Sequence, residues 1–272
     1  MIDLHCHILP GLDDGAADDH QALAMARAAV DMGIQEVAAT SHFGFFSLFS
    51  ADSGSIRAER DRLVELVAAE GIPLEIHPGA ENYYGEMEPA EFASRAIPLA
   101  EGPYVLMDFS FRRVPETLAE GLARLRQGGR IPVIAHPERN REVQLLPKIV
   151  VDWLDAGAML QVNASSLTGL LGEDAQLAAE TLLAAGAVQI LGSDAHDLSR
   201  RPFCLSAGEA AAADIVGADA AARMVRDTPR AVLRGEKIEV RSPDSDRLSG
   251  GASLFDRMFG RGRGQTEQGD RE

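Results

Sequence analysis

The chain has 272 residues, 46% of them apolar, and a formal charge of −16. That length is ample for a sizeable core, and the acidic balance argues against nucleic acid or an anionic membrane as general partners, since both require a cationic surface. Cys6 and Cys204 give no disulfide framework, no run approaches the roughly 20 apolar residues of a membrane span, and the strand-like start is no leader segment, so a cytoplasmic location is expected.

A first strand is predicted at 2–4, running into His5-Cys6-His7. Side chains alternate across a strand, so His5 and His7 share one side, where they can grip a cation, and Cys6 packs on the other. Asp13 and Asp14 precede Gly15 in a turn. Asp14 is the favoured ligand of the two, and Asp18 is placed to cap the next helix. That helix is predicted over 18–32, with an apolar stripe of Ala22, Leu23, Ala26, Ala29 and Val30.

From there one unit recurs five times: Gly after a helix, a short apolar strand, then a polar residue. Gly33 leads into 34–40 and Ser41-His42; Gly71 into 72–76 and Gly79-Ala80-Glu81; Gly129 into 131–135 and His136; Gly157 into 158–162 and Asn163; Gly186 into 187–191 and Asp194. Glycine supplies the left-handed cap of a helix, and the aliphatic runs suit buried parallel strands. A further strand at 104–107, ending at Asp108, makes seven, and helices are predicted over 55–70, 115–127 and 173–185.

Alternating strands and helices imply a parallel α/β sheet with right-handed crossovers. A barrel is favoured over an open sheet because almost every strand ends in a polar or metal-competent residue, and barrel sites collect at the carboxyl ends of strands. The barrel is expected to occupy 1–242, with a flexible tail over 243–272. Leu254, Phe255, Met258 and Phe259, with Arg257, Arg261 and Arg263, offer that tail a contact segment for a partner or membrane surface. A homo-oligomer is left open.

The strand-end donors are His5, His7, Asp14, His42, Glu81, Asp108, His136, Asp194 and His196. One four- to six-coordinate cation would leave several of them unused, so two or three clustered ions are expected. Nitrogen and carboxylate donors without thiolate suit manganese, iron or zinc. Any one histidine could be a satisfied core imidazole, but five of the seven in the chain fall at predicted strand ends. His20 lies on a helix, and His77, before Pro78, is read as structural or supporting. Arg139 and Arg201, on loops leaving two donor-bearing strands, offer planar forks for phosphate oxygens; Arg113, Arg141 and Arg200 are read as surface arginines.

The opening MIDLHCHILPGLDDG, followed in order by Thr40-Ser41-His42, Gly79-Ala80-Glu81-Asn82-Tyr83-Tyr84, Ile134-Ala135-His136-Pro137-Glu138-Arg139 and Ser193-Asp194-Ala195-His196, resembles the polymerase-and-histidinol-phosphatase (PHP) superfamily. Within it the similarity is strongest to the bacterial manganese-dependent protein-tyrosine phosphatases of capsular and exopolysaccharide loci. The resemblance covers about 1–240. It implies a distorted (β/α)7 barrel of the PHP fold holding three divalent metal ions, manganese first, with iron or zinc as alternatives. It makes the nine donors metal ligands and Arg139 and Arg201 phosphate binders. Asp108 departs from the pattern, standing where relatives commonly carry Glu.

The reaction expected is in-line hydrolysis of a phosphomonoester, with His42 and His196 as candidates to assist proton transfer. The implied substrate is a phosphotyrosine-containing protein, a bacterial tyrosine kinase that controls polysaccharide export. Neither cysteine is followed six residues on by Arg, so the cysteine-nucleophile phosphatase signature is missing. A carbamylated-lysine amidohydrolase is disfavoured because Lys148 and Lys237 lie away from strand ends. Histidinol-phosphate hydrolysis is the nearer alternative, since rim loops select the substrate. A non-catalytic module would have no need of nine converging donors. The 43–49 loop, with four phenylalanines, is a candidate dock for an aromatic ring or peptide.

Overall fold

The computed structural model describes residues 1–45, 48–49, 51–85 and 87–250. Its strands are β1 (Ile2–Cys6), β2 (Glu36–Ala39), β3 (His42–Phe43), β4 (Glu75–Pro78), β5 (Glu81–Tyr83), β6 (Tyr104–Asp108), β7 (Ile131–Ala135), β8 (Met159–Asn163) and β9 (Ile190–Gly192). β2 and β3 are one course broken at Thr40 and Ser41, and β4 and β5 another broken at Gly79 and Ala80. The seven predicted strands are therefore all present as courses.

Every pairing is parallel: β1 with β2, β2 with β4, and then β3, β5, β6, β7, β8 and β9 in succession. The ring closes where Asp194 N donates to His5 O at 2.8 Å and His7 N to Ala195 O at 2.8 Å, beside a parallel bridge between Cys6 and Ala195. The result is a distorted seven-course α/β barrel. Its main distortion is the gap between β4 and β6, which Asn82 spans: Nδ2 donates to Ile97 O at 3.0 Å and Leu106 O at 2.7 Å, while Oδ1 accepts from Ile97 N at 2.8 Å.

The predicted glycine caps explain where the strands begin. Gly33, Gly71, Gly129, Gly157 and Gly186 all have φ between 66° and 85°, and the residue after each returns its N–H to the preceding helix, as Ile34 does to Ala29 O and Ile72 to Val67 O. Those residues finish a helix before any ladder forms. Pairing on the second and third courses thus starts at 36 and 75, later than the apolar runs predict.

The helices are α1 (Asp19–Asp31), α2 (Ser53–Ala69), α3 (Pro89–Arg95), α4 (Leu118–Gln127), α5 (Arg141–Leu145), α6 (Val150–Asp155), α7 (Ala164–Leu167), α8 (Glu173–Ala184), α9 (Leu205–Val216), α10 (Ala218–Val225), α11 (Asp227–Leu233) and α12 (Ser245–Gly250). Asp18 caps α1 by accepting from Gln21 N, as expected, and α2 carries an Asp52–Ser55 capping box. α1 buries Ala22, Met25, Ala26 and Ala29. These pack in an outer layer with Val37, Val105, Ile134, Leu160 and Leu191 from the strands.

An inner cluster of Leu4, Ala38, Leu106, Val133, Met159 and Ile190, drawn from six courses, plugs the barrel below the site. One extra residue in β1 between Asp3 and Cys6 shifts its register against β2. The bulge turns Leu4 into the plug and Cys6 into the outer layer. The chain beyond 242 first forms α12, with Leu248 buried and Asp244 N bonded to Ala185 O at 2.8 Å. The contact segment predicted at 254–263 lies outside the described residues.

Candidate metal centre

All nine strand-end donors meet at one end of the barrel. Their ligand atoms form four groups, in each of which all lie within 4.8 Å of one another: His7, Asp14, His42 and His196; His5, His7 and Glu81; His5, His136 and Asp194; Glu81, Asp108 and His136. Glu81 is central, with Oε1 2.7 Å from His136 Nε2 and Oε2 3.2 Å from His7 Nε2 and 3.0 Å from His42 Nδ1. Asp108, although a carbon shorter than Glu, still reaches the group of Glu81 and His136.

Local backbone geometry aims these donors. His136 (φ 35°) and Asp194 (φ 54°) adopt the left-handed conformation without being glycine, a departure that costs roughly 1–3 kcal/mol and concentrates at functional sites. Three histidines are fixed through Nδ1. His5 donates to Gln161 Oε1 at 2.7 Å, His7 to Asp13 Oδ2 at 2.8 Å and His196 to Asp194 O at 2.9 Å. Each bond selects the tautomer whose Nε2 lone pair faces the cluster. Gln161 is itself held, donating to Asn163 Oδ1 at 2.9 Å, and Asn163 donates to Asp194 Oδ2 at 2.7 Å.

Asp13, weighed in the sequence as the lesser ligand candidate, Asn163, read only as a strand-closing polar residue, and Gln161, not named there, are thus supporting residues. Gln161 is the one visible signal, a polar side chain within an apolar strand run. His77 lies instead toward the opposite end of its course, with Nε2 3.0 Å from Glu36 Oε2. Cys6 is buried in the outer layer, and Arg141 makes a surface pair with Asp174 at 3.1 Å.

The electrostatics of the cluster call for a cation. Burial would lower the His5 pKa, but Glu81 and Asp194 outweigh it and raise it to about 9; burial also opposes the rise of His42 to about 11, which Glu81 and Asp14 drive. Burial and the charge of Glu81 push the Asp108 carboxyl well up. Among the described residues, buried polar atoms without a hydrogen bond include His42 Nδ1, Asp108 Oδ1, Asp194 Oδ1 and His196 Nε2. Orphaned polar atoms packed among repelling carboxylates are expensive, and bound divalent ions would satisfy both. The donor set fits nitrogen- and oxygen-ligated metals.

Above the cluster lies a cavity of about 360 Å³. Phe45, Phe49, Tyr83, Phe109 and Phe111 form much of its wall, and Arg139 and Arg201 sit on its rim. Both arginines converge on Asp194 Oδ2, at 2.9 Å and 2.7 Å. Phe45 stacks on Tyr83 at 4.1 Å and Phe49 on His42 at 4.9 Å. Phe46, part of the predicted dock, lies outside the described residues.

A parallel barrel whose strand ends converge on histidines and carboxylates defines the class of barrel metallohydrolases. Within that class the chain belongs to the capsular polysaccharide synthesis CpsB/CapC family, whose model matches residues 1–234. It is 37% identical over 204 residues to the tyrosine-protein phosphatase YwqE of Bacillus subtilis, covering 75% of this chain and 80% of that protein. With the tyrosine-protein phosphatase CpsB of Streptococcus pneumoniae it shares 27% identity over 244 residues, 88% of this chain and all of the other. A crystal structure from the pair YwqE and CpsB, described as metal-dependent tyrosine phosphatases, matches with a TM-score of 0.83 at 34% identity over 89% of this chain and 98% of its own. An organophosphorus hydrolase from Deinococcus radiodurans, at TM-score 0.51 and 16% identity over 85% of this chain and 91% of its own, shares the fold alone.

Proposed function

We propose that this chain is a metal-dependent protein-tyrosine phosphatase. The observation that carries the reading is the position of the donor cluster at the floor of an aromatic-walled cavity with two arginines on its rim. Three divalent ions, manganese first, would be held by His5, His7, Glu81 and Asp194, by Glu81, Asp108 and His136, and by Asp14, His42 and His196. When bound, such ions supply Lewis acidity and an activated water. Arg139 and Arg201, planar and always charged, hold the phosphoryl oxygens and offset the charge that spreads over them. The aromatic wall receives the phenyl ring of the substrate and keeps bulk water from it. A phenol, with a pKa of about 10, leaves with little need of protonation, so His42 and His196 are ligands first and proton carriers second.

The physiological substrate in this reading is the phosphorylated tail of a bacterial tyrosine kinase that governs capsule or exopolysaccharide synthesis. Support comes from the family to which the chain belongs and from the names of its relatives. The test compares manganese-loaded protein on a phosphotyrosine peptide, a phosphoserine peptide and histidinol phosphate, before and after chelation. Fast, chelator-sensitive turnover of the phosphotyrosine peptide is expected, and turnover of histidinol phosphate alone would overturn the substrate assignment.

A further inference from the structure

A second cavity, of about 350 Å³, opens on the flank of the barrel between α2, α3 and the turn from β4 into β5. Among the described residues its wall carries Arg57, Arg60, Arg95 and Arg130 against a single carboxylate, Glu101, in a chain whose overall charge is −16. Four guanidinium groups around one concavity run against the acidity of the whole and raise the local concentration of anions.

Several of the contacts these arginines make are the kind an incoming anion can exchange at little cost. Arg57 faces Glu101 at 3.7 Å with both side chains about two-thirds exposed, Arg60 faces its sequence neighbour Asp61 at 3.1 Å, and Arg95 faces Glu91 one helical turn back at 2.7 Å. Arg130 donates to Gly102 O at 2.8 Å. Exposed pairs such as Arg57–Glu101 and Arg95–Glu91 contribute little net stability.

One further observation favours a bound anion. Arg60 Nε is buried and, among the described residues, has no hydrogen-bond partner, so the side chain has little to lose in turning its guanidinium toward an anion. Ile56, Ile97 and Pro98 supply apolar surface beside the charges, and the volume suits a small molecule.

We propose that this cavity is a second ligand site, separate from the metal centre, for a small organic phosphate. The site lies behind the catalytic strands. Gly79 on its wall is two residues before Glu81, and the Arg95 guanidinium lies 6.0 Å from the ring of Phe43, next to His42.

The test is calorimetric titration of the metal-free full chain with inorganic pyrophosphate, the probe for the phosphate part. One saturable site is expected that survives Arg139→Ala/Arg201→Ala and weakens at least about tenfold in Arg57→Glu/Arg60→Gln. Arg57→Glu alone, at an exposed side chain, should weaken binding severalfold with an unchanged thermal midpoint. Binding that disappears with Arg139 and Arg201 and ignores Arg57→Glu would overturn the proposal, as would no saturable binding at millimolar pyrophosphate. Saturable binding of hexaglutamate without a response to pyrophosphate would mark an acidic-peptide groove and overturn it as well.

Discussion

Asp13 Oδ2 accepts from His7 Nδ1 at 2.8 Å and from the backbone N–H of His42 at 2.9 Å, so one carboxylate ties the end of β1 to the start of β3. Its other oxygen accepts from Gly15 N at 3.0 Å. Burial would raise its pKa, but His7 and the bonds it receives pull it down to about 2. Asp13→Ala should therefore leave His7 free to take the wrong tautomer and weaken metal binding by about 10–100-fold. Metal titration followed by calorimetry checks this. Unchanged affinity would show that the Asp13 bond does not orient His7.

The metal-free protein should have an unusual pH profile. His5 is raised in the folded state to about 9, so the stability it contributes is complete below its unfolded pKa of about 6.5 and is lost as pH rises to about 9. His136, pushed by burial down to about 4 despite Glu81, works in the other direction, costing stability as pH falls from about 6.5 toward 4. The chelated protein should be most stable near pH 6.5 as far as these groups decide it, and its thermal midpoint should fall between pH 7 and 9. Because a cation must displace the proton on His5, metal affinity should rise over the same interval and binding should release protons. Scanning calorimetry with and without manganese reads the first effect, and titration in buffers of different ionisation enthalpy reads the second.

The donor ring was legible because most of its ligands close an apolar run and the sheet is parallel, which sends every strand end to one side of the barrel. The glycine caps were legible for a local reason, the positive φ that closes a helix. What stayed hidden depends on pairing between distant segments or on the conformation of a turn. Gln161 meets its partner His5 across 156 positions, and no local pattern records that distance. Asp13 and Asp14 are chemically alike and adjacent. Only the turn ending at Gly15 decides that Asp13 folds back onto His7 while Asp14 faces His42 and His196. The late start of the ladder on two courses was hidden as well, since apolar residues run through the helix caps and into the ladder without changing character.

Gly15 is where that turn touches the site. A Cβ at this position would stand 2.1 Å from His7 O and 2.5 Å from His7 Cβ, and neither atom can yield without moving the end of β1. Gly15→Ala should cost about 1–3 kcal/mol of stability, as overpacking does, and weaken metal binding through His7. Urea denaturation and metal titration of the same variant test both halves. A fully stable variant with normal metal affinity would show that β1 shifts freely.

Phe111 is the wall residue best placed to separate substrate recognition from metal binding. Its ring is nearly half exposed and lies 4.3 Å beneath the Arg139 guanidinium, a cation–π contact worth about 0.5–2 kcal/mol. The same ring borders the cavity, where a phenyl group would pack beside it. Phe111→Ala removes the support of Arg139 and part of the aromatic wall, and among the metal-facing donors it touches only the ring of His136, at 5.5 Å, whose Nε2 stays bonded to Glu81. KM for a phosphotyrosine peptide should rise by roughly 3–30-fold, the equivalent of that contact energy, with kcat and manganese affinity changed far less. Phe111→Tyr retains a ring and should restore most of the lost affinity. A loss of kcat at unchanged KM would instead assign Phe111 to the chemical step, and the aromatic wall would then have no part in holding the substrate ring.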